Sequence, residues 1–213
     1  MRCERVWSRD GDVLLVGVTG GIGSGKSVFS ALLAERGAQV IDADAYGREA
    51  LRPGQPAWHS VVAQFGREIL LPRSMEIDRK ALADVVFSDS DKLAALNAIV
   101  HPVLFSALAD SVERLAHTDE IVVIDAAILV ETGMDKNLDA LIVVYADDDA
   151  RRERLKRRGM STKDIEARIG SQAATVDLLS RADVVVCNDG SLDDLVREAD
   201  RVWADLSARS RHP

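Results

Sequence analysis

Five short runs of apolar residues, rich in valine and isoleucine, recur along the chain. They cover residues 13–18, 38–41, 121–124, 141–145 and 184–187. Most of these runs lack the alternation of polar and apolar positions that marks a strand with one face in water. A run that is apolar throughout is typical of a strand covered on both faces, as in a parallel sheet. The pattern therefore predicts an α/β fold with a parallel sheet flanked by helices.

Helical periodicity is clearest directly after the first run. Residues 26–36 place Phe29, Leu32 and Leu33 on one stripe, and Gly37 follows where a helix commonly ends in a left-handed glycine. This segment predicts the helix that connects the first two strands.

A long segment, residues 45–118, separates the second run from the third. We expect a turn at Pro53-Gly54, an amphipathic helix over residues 57–65 and a helix over residues 79–87 with Asp78 as its N-cap. A further helix begins near residue 91 and is interrupted at 101–102, because proline disfavours helical geometry in the residue before it. So large a segment predicts a helical subdomain inserted into the α/β core.

Composition places the 213 residues among ordinary folded proteins, since 47% are hydrophobic and 29% are charged. Cys3 and Cys187 cannot form a disulfide framework and suit a reducing compartment. No apolar run approaches about 20 residues, and the first twelve residues lack the apolar centre of a secretory signal. We expect a cytoplasmic protein without a membrane span, and the net charge of −8 argues against a nucleic-acid partner.

The strongest motif is G-G-I-G-S-G-K-S at residues 20–27, which matches G-x-x-x-x-G-K-[ST] between a predicted strand and a predicted helix. Glycines let successive backbone N–H groups turn towards a phosphate, and the helix N-terminus adds its dipole. Lys26 reaches the β and γ phosphates, and the Ser27 hydroxyl suits Mg²⁺. The motif predicts a nucleotide site, but kinases, GTPases and motor ATPases all use such a loop.

A guanine-recognition motif of the form Asn-Lys-x-Asp is missing, because none of Asn97, Asn137 and Asn188 precedes a lysine. This counts against a switch-type GTPase.

Three aspartates follow apolar runs. Asp42 and Asp44 end the second run at i and i+2, so an extended chain would point both side chains to the same side, towards the transferred phosphate. One would deprotonate an acceptor hydroxyl and the other would hold metal-bound water, although a strand-end turn or a helix N-cap explains the same spacing. Asp125 closes another run and is similar to a Walker-B acid that supports Mg²⁺, with a cap as the alternative.

Residues 151–172 hold eight basic and three acidic residues, a net charge of +5 in an acidic protein. Arg154, Arg157 and Arg158, followed by Gly159, are typical of a lid whose guanidinium groups grip polyphosphate and whose closure excludes water. The alternative is a solvated helix face whose charges form weak surface ion pairs.

Taken in order, the motifs resemble those of the dephospho-CoA kinase family over about residues 14–195. The matching segments are T-G-G-I-G-S-G-K-S at 19–27, V-I-D-A-D at 40–44, Arg48, F-G at 65–66, D-R-x-x-L at 78–82, Phe87, N-A-I-V-H-P at 97–102, I-L-V-E at 128–131, R-L-x-x-R at 154–158, A-R-I-x-S-Q at 167–172 and C-N-D-G at 187–190. One departure is Ala127, where the family usually has proline before the I-L-V-E stretch. The first twelve residues precede the family's usual start.

The resemblance implies transfer of the γ phosphate of ATP to the ribose 3′-hydroxyl of dephospho-CoA, which gives CoA and ADP in the last step of CoA synthesis. It implies a Mg²⁺-dependent, monomeric or small homo-oligomeric enzyme with a small-molecule substrate. A P-loop kinase core would comprise residues 1–44, 119–150 and 173–213, a helical acceptor-binding domain residues 45–118, and a lid residues 151–172.

The resemblance also assigns site residues. Catalytic roles fall on Asp44 as the base, Lys26 and Arg154, and Arg48 and His101 join Asp44 in the acceptor site. Ser27 keeps its loop role at the metal through its hydroxyl, and the strand-end positions of Asp42 and Asp125 add these two carboxylates as possible metal residues through water. The residues implied to bind nucleotide are Gly21, Ile22, Gly23, Ser24, Gly25, Lys26, Ser27, Val28, Arg154, Arg158 and Asn188.

Two other functions stay open at this point. One is a P-loop kinase for a nucleoside, nucleotide or sugar acid, and the other is a regulatory NTPase that hydrolyses its nucleotide slowly. The spacing of His101 alone favours a structural role for this histidine, and only the resemblance places it in the acceptor site.

Overall fold

The computed structural model describes residues 13–86, 89–115, 121–170 and 175–210. The predictions at Cys3, Phe87, Ser171 and Gln172, and those for the first twelve residues, lie outside these ranges. The described chain forms two compact units, one within Met1–Asp42 and Val112–Pro213 and the other within Ala43–Ser111.

The first unit is built on a parallel five-stranded sheet with strand order β2-β3-β1-β4-β5. Its strands are β1 (Leu14–Thr19), β2 (Gln39–Asp42), β3 (Ile121–Asp125), β4 (Ala140–Tyr145) and β5 (Val184–Cys187). Each strand lies within one residue of its predicted bounds at either end. The predicted parallel sheet is therefore confirmed.

Burial explains why the sequence pattern is so clear in this unit. The strands β3 and β4 are buried almost throughout, whereas the edge strands β2 and β5 carry exposed positions. Helices α1 (Lys26–Glu35) and α9 (Leu192–Ser210) pack on the sheet and on each other. Phe29 and Leu33 of α1 and Leu206 of α9 belong to the hydrophobic core that covers the sheet. The same unit contains α6 (Asp148–Arg157), α7 (Thr162–Gly170), α8 (Thr175–Arg181) and a 3₁₀ turn, Met134–Asn137.

Helix α1 ends as predicted. Gly37 has a φ of 114°, and its N–H donates to the Ala34 carbonyl while the N–H of Ala38 donates to the Leu33 carbonyl. These two bonds satisfy the last carbonyls of the helix, in the pattern of a Schellman motif.

The second unit is helical. It contains α2 (Ala43–Ala50), α3 (Pro56–Phe65), a 3₁₀ turn (Arg67–Ile69), α4 (Arg79–Val86) and most of α5 (Ser90–Leu115). Its own small core is formed by Val61, Phe65, Ile69, Leu70, Leu82 and Val86. Asp78 is the N-cap of α4, because its Oδ1 accepts hydrogen bonds from the N–H groups of Lys80 and Ala81 at 2.9 and 3.2 Å.

The predicted interruption at His101 and Pro102 is wrong, because α5 runs through both residues. Proline inside a helix costs about 3 kcal/mol through its missing N–H and its clash with the preceding turn. Beyond it, Leu104, Leu108 and Val112 are buried at a spacing of four residues. Burying each such side chain contributes roughly 1.5–3 kcal/mol, which outweighs the proline.

The predicted extended geometry at Asp44 is also wrong. Strand β2 ends at Asp42, and helix α2 begins at the next residue, so Asp44 lies in the first helical turn. A carboxylate is favourable there because of the unpaired N–H groups and the positive end of the helix dipole. The i, i+2 argument therefore does not apply to this pair of aspartates.

Among the described helices, α5 is long and apolar enough to cross a membrane, with a mean hydropathy of 1.5 in an 18-residue window. Counting unbroken apolar runs did not detect it, because residues such as Asn97 and His101 interrupt the run. The core helix of a soluble protein passes the same test, so this is weak evidence for a span.

Candidate active site

The carboxyl edge of the sheet offers one place that favours ligand binding by topology alone. The chain leaves β1 towards β2 on one side and leaves β3 towards β4 on the other, and β1 and β3 are neighbours. In open α/β sheets, ligands bind at such a switch point, beyond the carboxyl ends of the two strands. The glycine-rich loop follows β1, and Asp125 is the last residue of β3.

The loop needs glycine at Gly20 and Gly25 because of close packing. A Cβ on Gly20 would collide with the Val144 carbonyl oxygen. Gly25 has a φ of 97°, and a Cβ there would collide with the amide nitrogen of Asn188. This packing holds the loop between β1 and α1 in a tight turn, which the Ser24 N–H closes by donating to the Gly21 carbonyl at 2.9 Å.

The buried Ser24 hydroxyl lies within this loop and has no hydrogen-bond partner among the described residues. A buried hydroxyl without a partner is costly in a folded protein. The loop therefore carries a donor that a phosphate oxygen is suited to satisfy, in addition to its main-chain N–H groups.

Lys26, the first residue of α1, forms an ion pair with Asp125. Their side chains are only 12% and 8% exposed, respectively. Asp42 is the register partner of Asp125 on the adjacent strand β2, so both side chains lie on the same face of the sheet. The structure thus places Lys26, Asp42 and Asp125 at the same edge of the sheet, and Ser27 and Val28 follow Lys26 on exposed positions of α1.

The oxygen donors at this edge fit Mg²⁺. They are the Ser27 hydroxyl and the carboxylates of Asp42 and Asp125. Among the described residues, no cluster of three or more His, Cys, Asp or Glu side chains could hold a metal ion by itself. Mg²⁺ is usually bound by one or two carboxylates together with substrate phosphates rather than by an all-protein cage.

Arg154 and Asn188 form hydrogen bonds with the backbone of the loop. Arg154 donates to the carbonyls of Gly23 and Ser24 at 3.3 Å and to the Asn188 carbonyl at 2.5 Å. The Asn188 amide donates to the Ser24 carbonyl at 2.7 Å. Both predicted nucleotide residues therefore contact the backbone of the predicted phosphate loop.

The basic segment contains both of the arrangements that its sequence left open. Arg151 and Arg154 turn towards the loop, whereas Arg152 and Arg157 pair with acids on the surface. Arg158 is exposed at the end of α6. The hydrogen bond from Arg152 lowers the pKa of Glu166 and ties α6 to α7.

Arg151 is the functional candidate that sequence reasoning missed. It is buried, and its Nε donates to the Ile22 carbonyl at 2.9 Å. In the sequence it is one of eight basic residues in the segment, and its charge alone does not distinguish it from its exposed neighbours.

The second unit carries the predicted acceptor residues. Asp44 and Arg48 are four residues apart on α2 and so lie on one face of that helix. The Tyr46 hydroxyl, on the same helix, forms a 2.8 Å hydrogen bond with Ser111 of α5. On α5, the half-buried His101 ring lies 5.5 Å from the ring of Phe105, and burial lowers the pKa of His101, so the imidazole is neutral at pH 7.

A family model described as dephospho-CoA kinase matches residues 14–194. A curated dephospho-CoA kinase from Streptomyces avermitilis is 45% identical over 202 residues, which cover 94% of this chain and 98% of that protein. The chain belongs to the dephospho-CoA kinase family. The family match confirms the resemblance and shows that the protein is a kinase, rather than the alternative of a regulatory NTPase.

Solved structures agree on the fold of this dephospho-CoA kinase family member. A crystal structure of the protein TT1252 from Thermus thermophilus has a TM-score of 0.78 and 34% identity, and the match covers 91% of this chain and 97% of that one. A dephospho-CoA kinase from Campylobacter jejuni has a TM-score of 0.67 at 24% identity, with 92% and 98% of the two chains covered. The predicted P-loop kinase fold is confirmed.

Proposed function

We propose that this protein transfers the γ phosphate of ATP to the ribose 3′-hydroxyl of dephospho-CoA, with CoA and ADP as products, in the last step of CoA synthesis. The observation that carries the proposal is the family match over residues 14–194. That segment includes a glycine-rich loop at the switch point of the sheet, with Lys26 and Asp125 beside it.

The nucleotide half of the proposed site is the loop and the residues around it. Main-chain N–H groups of residues 21–25 and the N-terminal turn of α1, with Ser27 and Val28, bind the triphosphate. Lys26 exchanges its Asp125 partner for phosphate oxygens. Arg154, Arg158 and Asn188 complete the proposed nucleotide contacts, and the two arginines neutralise charge that develops on the leaving oxygens.

Mg²⁺ fits the same edge of the sheet, with the Ser27 hydroxyl as a ligand and with Asp42 and Asp125 acting through water. When bound, this ion would neutralise negative charge on the phosphate oxygens.

The acceptor half of the proposed site is Asp44, Arg48 and His101, all in the helical unit. The Asp44 carboxylate takes the proton of the 3′-hydroxyl as that oxygen bonds to the γ phosphorus of ATP and the bond from this phosphorus to the β–γ bridging oxygen breaks, which leaves ADP. Because phosphoryl transfer has a loose transition state, the main tasks of the protein are positioning and charge neutralisation. Arg48 and neutral His101 orient the acceptor.

The proposed function divides the chain into a nucleotide-binding core, an acceptor domain and a lid. We propose residues 1–44, 119–150 and 173–213 as the nucleotide-binding core, residues 45–118 as the acceptor domain and residues 151–172 as the lid. Asp44, the last residue of the first proposed core segment, lies in the helical unit of the structure, which comprises Ala43–Ser111. The protein acts in the cytoplasm as a monomer or a small homo-oligomer, on a small molecule, without nucleic-acid or membrane partners.

An ADP-release assay tests the reaction. Purified protein is incubated with ATP, Mg²⁺ and dephospho-CoA, each is omitted in turn, and CoA is measured by mass spectrometry. We expect ADP and CoA in equal amounts, and no ADP without dephospho-CoA. ADP release that does not need dephospho-CoA would contradict the proposal, as would equally fast turnover with a nucleoside or a sugar acid.

The variant Asp44→Asn tests the proposed base. Turnover should fall by about 10²–10⁴, with a modest change in ATP affinity, because general base catalysis contributes about that much. Glu49→Gln is the matched control, since Glu49 is exposed on the same helix and pairs with Arg52. Unchanged turnover in Asp44→Asn would remove Asp44 from the mechanism.

A further inference from the structure

Three consecutive carbonyl groups in the phosphate loop accept hydrogen bonds from other elements. The Ile22 carbonyl accepts from Arg151, the Gly23 carbonyl from Arg154, and the Ser24 carbonyl from both Arg154 and Asn188. The loop is therefore held by side chains of α6 and of the segment after β5.

Arg151 has the most restricted position of the three donors. Its side chain is 6% exposed, and its Nε donates to Ile22 at 2.9 Å with Asp148 as an ion-pair partner at 3.1 Å. Helix α6 reaches the loop with its backbone as well, because a Cβ on Gly23 would lie 3.1 Å from the Arg151 carbonyl oxygen. The Arg151 side chain and the loop therefore form one packed unit.

The geometry of the peptide bond links these contacts to the N–H groups of the loop. In a trans peptide, the C=O of one residue and the N–H of the next point in opposite directions. A donor that holds the Ile22 carbonyl therefore also fixes the Gly23 N–H, which points away from that donor, and one that holds the Ser24 carbonyl does the same for the Gly25 N–H. These N–H groups belong to the loop that binds phosphate in motifs of this kind.

We infer that Arg151 is a positioning residue for the nucleotide: its buried guanidinium fixes the Ile22 carbonyl and so aims the Gly23 N–H at the phosphates. The inference rests on the proposed use of residues 20–27 as the triphosphate site. Arg151 acts through the loop, so its loss weakens nucleotide binding and leaves binding of dephospho-CoA unchanged.

The neighbouring Arg152 provides a matched control. It lies on the same helix and carries the same charge, but its side chain is 32% exposed and pairs with Glu166 and Asp149. Arg152→Gln therefore removes one positive charge from α6 without removing a donor to the loop.

The test compares Arg151→Gln, Arg151→Lys and Arg152→Gln. Calorimetry gives the Kd for ADP, and steady-state kinetics gives kcat and the KM values for ATP and dephospho-CoA. We expect Arg151→Gln to raise the Kd for ADP and the KM for ATP about tenfold, equivalent to about 1.4 kcal/mol, with the KM for dephospho-CoA within about twofold of wild type. Arg151→Lys, which keeps a cationic donor, should recover part of the affinity, and Arg152→Gln should match wild type.

Other results would overturn the inference. One is wild-type ADP affinity in both Arg151 variants. Another is an equal rise in the KM values for ATP and dephospho-CoA in Arg151→Gln, which would indicate a general effect on folding. A third is a loss of ADP affinity in Arg152→Gln as large as in Arg151→Gln, which would indicate a general effect of charge. If Arg151→Gln does not fold, Arg151→Lys decides by the same criterion.

The variant Lys26→Ala separates this inference from the proposed nucleotide site. Wild-type ADP affinity in Lys26→Ala would show that the site itself is wrongly assigned, and the inference would fall with it. Weak ADP binding in Lys26→Ala together with wild-type binding in the Arg151 variants would refute the inference alone.

Discussion

The ion pair between Lys26 and Asp125 makes a strong prediction about stability in the absence of nucleotide. Both side chains are nearly buried, at 12% and 8% exposure. Lys26 is also the first residue of α1, where the positive end of the helix dipole disfavours a cation. The Asp125 carboxylate therefore compensates a charge in an unfavourable place. Replacing Asp125 with asparagine keeps the size of the side chain and removes that compensation.

The magnitude follows from burial. Removing one partner of a buried ion pair costs about 3–5 kcal/mol, and the lower value applies here because water reaches part of the Lys26 side chain. At roughly 2–4 °C per kcal/mol for a chain of this size, Asp125→Asn should lower Tm by about 6–12 °C. The double variant Lys26→Met/Asp125→Asn contains neither charge and should recover most of the loss.

Thermal melts with and without ADP provide the assay. In the proposed nucleotide site, ADP phosphates would replace the missing carboxylate of Asp125→Asn as partners of Lys26. The rise in Tm on adding saturating ADP should therefore be larger in Asp125→Asn than in wild type. A Tm within about 2 °C of wild type without nucleotide would refute the reasoning, since that is less than the effect of 1 kcal/mol. A double variant no more stable than Asp125→Asn would refute it equally.

Two further variants test other buried groups. Ser30→Ala should raise Tm by about 2–4 °C without changing turnover. The buried Ser30 hydroxyl has no hydrogen-bond partner among the described residues, and alanine favours a helix more than serine does. A Tm below that of wild type would show that the hydroxyl is stabilising. Burial lowers the pKa of His101, so the unfolded chain binds this proton more readily and stability is lost as the pH falls below about 6.5. The drop in Tm between pH 7.5 and pH 5.5 should therefore be smaller in His101→Gln than in wild type. His59→Gln, which replaces an exposed histidine, is the control and should match wild type. Equal drops in wild type and both variants would contradict the lowered pKa of His101.

The features that were predicted correctly are those with a local cause. Unbroken apolar runs predicted the buried strands. Gly37 marks the end of α1 through its left-handed backbone conformation, and Asp78 marks the start of α4 through its side-chain hydrogen bonds. The glycine-rich loop is equally local, because the residue types that suit a phosphate lie together in the chain. Family membership follows from the same ordered motifs.

The two errors have different causes. Pro102 disfavours a helix locally, but the burial of leucines on its far side outweighs this preference and keeps α5 continuous. Asp44 was treated as part of an extended segment, but β2 ends at Asp42 and α2 begins at the next residue, where the first helical turn favours a carboxylate.

The sequence by itself determined the parallel sheet, the position of the phosphate loop and the family, because each depends on residues close together in the chain or on their order. Only the tertiary structure decided which arginines of the basic segment contact the loop. Arg151 and Arg152 are adjacent and chemically identical, yet one is buried against the Ile22 carbonyl and the other lies at the surface with Glu166. That difference depends on where α6 packs against residues about 130 positions earlier in the chain, and no local pattern records such a contact.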